Sequence, residues 1–187
     1  MNNIALLLVD YQNDYFPSYD SAKWPLSETE VAAENGATLL SLFREKKLPV
    51  IHVRHESLTN DAPFFLPNSE GAAIHSSVAP IDGEPVIVKH EINSFKGTHL
   101  GEVLSQNSVE KLIIVGAMSH MCIDAVTRAA SDLGYECNVA HDACTTLPLE
   151  FNGTTVPASY VHAAFMSALS FGYCNVDSTK ALAQLVL

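Results

Sequence analysis

The chain has 187 residues, of which 48% are hydrophobic and 17% charged; that is enough apolar material for a substantial core and excludes a disordered chain. A formal net charge of -11 argues against general affinity for nucleic acid or for an anionic membrane surface. No internal repeat, charge block or linker divides the sequence, so residues 1–187 are expected to form one domain.

The first apolar run, residues 4–9, has no basic leader or small-residue cleavage site, and Asp10 interrupts it too early for a membrane span. It reads as a buried strand. Asp10 then stands at the rim where open α/β sheets bind ligands, with a turn former as the plain alternative. Ser27 and Glu30 resemble a capping box that opens a helix to about Lys47, carrying Val31, Leu39, Leu40, Leu42 and Phe43. Residues 49–54 read as a second strand, and the strand–helix–strand order predicts a right-handed parallel arrangement. Residues 58–84 are rich in turn formers yet hold Phe64, Phe65, Leu66 and Ile74; this predicts a flap over the active-site rim or a subunit contact. A short strand at 85–88 hands over to Lys89, and a short helix follows over 97–106.

Residues 111–115 form a continuous apolar strand that Gly116 ends. From about His120 the spacing turns helical, with Met121, Ala125, Ala129 and Leu133 on one face and Gly134 as the stop. A fifth strand covers 135–140, a helix 157–171 and an edge strand 172–176, with a last helix to Leu187. This is an α/β pattern, a three-layer Rossmann-like fold with a parallel sheet and helices on both faces.

Three reactive side chains thus fall at the ends of three strands: Asp10, Lys89 and Cys122. Singly, Lys89 reads as a solvated strand end and Cys122 as a small core residue. Together they make an amidase centre. A thiol in the first turn of a helix is expected to favour thiolate. Asp10 takes the thiol proton and returns it to a leaving amine, and the Lys89 cation stabilises both anions. The thiolate forms an acyl-enzyme, and backbone N–H groups near Met118 and Cys122 hold the oxyanion. The four cysteines, at 122, 137, 144 and 174, lack C-x-x-C spacing. A disulfide framework or zinc ribbon is therefore not expected, and a reducing cytoplasm is.

With these residues assembled, the chain resembles the isochorismatase-like cysteine hydrolases, which include nicotinamidases and N-carbamoylsarcosine amidohydrolase. The matching pieces are Asp10-x-Gln12 with Phe16, Lys89 before Asn93-Ser94-Phe95, and the run from Gly116 to Cys122. Thr127-Arg128-Ala129-Ala130, Gly134-Tyr135, Asp142-Ala143 and His162 continue the match in order. The resemblance implies a six-stranded parallel sheet, an Asp10–Lys89–Cys122 triad, a cis peptide at Ala117–Met118, and a homodimer or homotetramer. Gln12, Phe16, Phe95 and His120 become candidates to line the substrate pocket.

The departures narrow the chemistry. Where nicotinamidases carry an Asp-x-His metal pair, this chain reads Arg54-His55-Glu56. No metal or other cofactor is expected, with His55 and His75 as the remaining chance ligand pair. Residues 53–57, the Phe64-Phe65 stretch and residues 119–122 most resemble the streptothricin-hydrolase-like branch. The expectation is a metal-independent cysteine hydrolase of a small amide or lactam, with neither nucleic acid nor membrane as partner. An isochorismatase-type or nicotinamidase-like hydrolase and a non-enzymatic binding member of the fold remain open, although Cys122 makes the cysteine-free isochorismatases a poorer match.

Overall fold

The computed structural model describes residues 3–187. Its strands are β1 (Ile4–Val9), β2 (Val50–His55), β3 (Val86–Lys89), β4 (Lys111–Ala117), β5 (Glu136–Thr145), β6 (Leu149–Phe151), β7 (Thr154–Val156) and β8 (Asn175–Asp177). Its helices are α1 (Thr29–Glu45), α2 (Leu100–Gln106), α3 (Asp124–Asp132), α4 (Ala158–Gly172) and α5 (Thr179–Leu182). Six strands pair in the order β3-β2-β1-β4-β5-β8, every pair parallel.

The alternation of side chains along β1 builds two cores. Ile4, Leu6 and Leu8 pack with Leu39, Leu40 and Phe43 of α1 and Leu182 of α5. Ala5, Leu7 and Val9 pack with Leu100 and Leu104 of α2, Val126 and Ala130 of α3, and Met166 and Leu169 of α4. The sheet is therefore covered on both faces, the condition that makes its central strands continuously apolar. The chain moves outward from β1 to β3 and then returns to place β4 beside β1. Open α/β sheets bind ligands at such a reversal, outside the carboxyl ends of the strands.

Several local expectations change. The Ser27–Glu30 capping box does not form: the cap position of α1 is Glu28, with no side-chain cap, and Glu30 Oε1 accepts the Ser18 N–H instead at 3.0 Å. The buried face of α3 is Val126, Thr127 and Ala130, while Leu133 is 62% exposed. The physical reason lies upstream, where residues Ser119–Ile123 wind as a π-turn, wider than an α-turn, and so rotate α3 about its axis. β5 runs past Ala140 to Thr145 because its pairing with β4 jumps from Ile114↔Val139 to Gly116↔Cys144, an irregularity that absorbs polar His141 and Asp142. The β6–β7 hairpin was not expected, although Asn152-Gly153, both at positive φ, is the turn signal for it.

The 58–84 segment packs against its own subunit. Phe65 is buried against Tyr15 at 4.6 Å between ring centroids, and Phe64 contacts Tyr15 and Trp24. Asp14 clamps it: Oδ2 accepts the Phe65 N–H at 2.7 Å and Oδ1 the Lys23 N–H at 3.1 Å.

Candidate active site

Asp10 follows β1 directly, at φ 55, and its N–H donates to Val53 O, which seats it against β2. Asp is among the residue types that tolerate this left-handed conformation. Lys89 is the last residue of β3 and pairs in register with His55 of β2. Cys122 lies in the π-turn after β4. Gly116 lets β4 close on β1: at φ +131, a Cβ there would fall 1.9 Å from Val9 O. The Ala117–Met118 peptide is cis.

These elements converge on one ammonium group. Lys89 Nζ is 2.9 Å from Asp10 Oδ2, 3.2 Å from Cys122 Sγ and 3.1 Å from His55 Nδ1. Asp10 and Lys89 are wholly buried and Cys122 is 7% exposed. The Asp10–Lys89 contact is a buried ion pair, and both the ammonium and the thiol face the carboxylate.

Burial pushes the Cys122 thiol pKa well up, the Asp10 carboxylate beside it pushes the same way, and Lys89 only partly opposes them. The expected preference for thiolate is thus reversed, because burial of the thiol, with a neighbouring anion added, outweighs the pull of a helix start. Burial acts to lower the pKa of Lys89, but Asp10 and Cys122 outweigh it, so the net shift is upward and the group is an ammonium. Both shifts favour the protonated thiol and the ammonium.

Residues 4–160 match the isochorismatase domain family. The chain belongs to the isochorismatase family. It is 50% identical over 177 residues to the isochorismatase family protein YddQ of Bacillus subtilis, covering 95% of this chain and 97% of that protein. It is 30% identical over 199 residues to the N-carbamoylsarcosine amidase of an Arthrobacter species, covering 98% and 71%. The crystal structure of an isochorismatase hydrolase from Oleispira antarctica superposes with a TM-score of 0.95 at 66% identity, covering 98% and 97%.

Within this isochorismatase-family hydrolase, the expected pocket residues separate. Gln12 is a strut with both N–H donors engaged: Nε2 donates to His55 O and Ala72 O, and Oε1 accepts the His55 N–H at 2.7 Å. Phe16 is buried and stacked on His75 at 3.7 Å between ring centroids. Phe95 is partly buried against Tyr135. His120 bonds Thr146 Oγ1 through Nδ1 at 2.6 Å, and burial lowers its pKa so that it is neutral at pH 7. His162 Nδ1 meets Ser119 Oγ at 2.8 Å and ties the π-turn to α4.

Among the described residues no three His, Cys, Asp or Glu side chains come together as metal ligands. Arg54 pairs with Glu56 at 2.8 Å, His55 faces Lys89, and His75 bonds Ser77. Two residues near the centre escaped the sequence reading in that role. One is His55, weighed only as a metal ligand. The other is Tyr15, whose buried phenol is pushed to a higher pKa first by burial and then by the nearby Asp10 charge. The signal for Tyr15 was its place in the polar turn directly after Asp10.

Proposed function

We propose that the protein is a metal-independent cysteine amidohydrolase that opens a C–N bond of a small amide or lactam through a thioester. The observation that carries this reading is the Lys89 ammonium held 2.9 Å from Asp10 and 3.2 Å from Cys122 in a buried site. As Sγ attacks the carbonyl carbon, its proton passes to Asp10 and the Lys89 charge stabilises the forming anionic centre. The tetrahedral oxyanion is held by the backbone N–H groups of Met118 and Cys122, a contribution of roughly 3 kcal/mol per donor. Collapse breaks the C–N bond while Asp10 returns the proton to nitrogen. Water then adds to the thioester, gives a proton to Asp10, and releases the acid as the thiol is restored.

The likeness to an amidase supports C–N cleavage, and the likeness of residues 53–57, 64–67 and 119–122 to the streptothricin-hydrolase-like branch supports a cyclic amide. The engaged Arg54 and His55 support chemistry without a metal. Four free thiols fit a cytoplasmic enzyme, and the exposed Tyr160 and Phe171 of α4 fit a homodimer or homotetramer. The test is a panel of primary amides and lactams followed for released amine or ring opening, with intact mass and peptide mapping for an acyl group on Cys122. Turnover that survives Cys122→Ala would refute the mechanism.

A further inference from the structure

An ammonium has three N–H bonds, and in this site each has a partner. Two face Asp10 and Cys122, and the third points to His55 Nδ1 at 3.1 Å. An ammonium has no lone pair, so that contact is favourable only when Nδ1 carries no proton. The proton of the neutral ring must then sit on Nε2. The Nδ1 contact is set by β2–β3 geometry, since His55 and Lys89 are register partners on adjacent strands.

We infer that His55 is a positioning residue for the proposed hydrolysis: as a neutral Nε2–H imidazole it holds the Lys89 ammonium between Asp10 and Cys122, and its protonation releases that hold. The inference rests on the amidohydrolase reading for its consequence, though the contact can be tested without a substrate. Protonation would set an imidazolium against the ammonium, and like charges so close repel strongly in a buried site. The groups that face His55 are Lys89 on β3, Asp10 after β1, and His90 and Glu91 after β3, the last through its backbone. Burial, Lys89 and His90 lower the imidazole pKa, with Asp10 and the Glu91 carbonyl opposing. The centre is therefore intact at neutral pH and fails only on the acid side of the ordinary histidine range.

The first experiment is nitrogen NMR of the ¹⁵N-histidine-labelled full-length protein. His55 is expected as the Nε2–H tautomer, titrating below an unperturbed histidine, and Lys89→Met should raise that titration. An Nδ1–H tautomer, or a titration indifferent to Lys89→Met, overturns the inference whatever the enzyme acts on. The second compares His55→Asn, whose Oδ1 can replace the lost acceptor, with His55→Leu, which has none. With an amide the wild type turns over, His55→Leu should lose about tenfold or more in kcat with little change in KM. His55→Asn should recover much of that loss and no longer show the wild-type acid limb. Equal pH profiles for wild type and His55→Leu, with both folded, refute the positioning role. Failure to find any substrate would count against the amidohydrolase reading alone and leave the NMR result to decide this one.

Discussion

Asp10→Asn separates two effects that a single rate would confuse. The backbone should tolerate the change, because Asn shares with Asp an unusual tolerance of the left-handed conformation found at φ 55. The amide cannot take the thiol proton or return it to a leaving amine, so turnover should fall by roughly 10²–10⁴. The thiol itself should move the other way. Burial and Asp10 raise its pKa and Lys89 lowers it, so removing the carboxylate charge leaves the ammonium at 3.2 Å as the dominant electrostatic influence. A fall of one pKa unit corresponds to about 1.4 kcal/mol and a tenfold gain in thiolate. Alkylation of Cys122 by iodoacetamide at pH 7 should therefore rise, tenfold for each unit by which the thiol pKa falls, while turnover collapses. Labelling is read by peptide mapping beside a thermal melt. If alkylation and turnover fall together in a folded variant, Asp10 does not hold the proton of this centre.

Gly116→Ala should cost more than about 3 kcal/mol or prevent folding, since its Cβ would lie 1.9 Å from Val9 O at φ +131; a soluble variant with an unchanged melting temperature would contradict this. Glu84 is pushed up by burial, yet hydrogen bonds from Arg44, the Ile81 N–H and His52 hold its pKa down at about 2. This depressed carboxylate contributes stability that is present above its unfolded pKa and lost as pH falls from about 4.5 toward 2. Glu84→Gln should therefore cost about 3 kcal/mol at neutral pH, and the two melting curves should converge near pH 2. Exhaustive chelation should leave turnover unchanged, because Arg54 is paired with Glu56 and His55 with Lys89; loss of activity restored by zinc would overturn this.

The sheet was legible because strands buried on both faces leave unbroken apolar runs, and each run delivered a chemically distinctive residue at its end: Asp10, Lys89 and Cys122. What escaped depends on geometry that spacing does not encode. Extrapolating α-helical periodicity from His120 missed the π-turn, so the buried face of α3 came out as Ala125 and Ala129 instead of Val126 and Ala130. Gln12 read as a polar residue beside a catalytic acid, but its amide replaces backbone partners at the end of β2 and the loop at Ala72. The thiol pKa followed the same pattern. A helix-start argument sees one field, whereas the folded site adds burial and a carboxylate brought from residue 10 to residue 122.

The pairing of His55 with Lys89 has a consequence for refolding. β3 is a four-residue edge strand whose sheet partner among the described residues is β2, through His52↔Val86, Val53↔Ile87, Arg54↔Val88 and His55↔Lys89. A slip of one residue would invert which face each β3 side chain occupies, sending the lysine away from the thiol with little change in strand content. Far-ultraviolet circular dichroism would count such a chain as native, whereas catalysis would not. Specific activity per recovered unit of secondary structure is thus a gauge of edge-strand alignment, and a preparation with full ellipticity but fractional activity should contain misaligned chains.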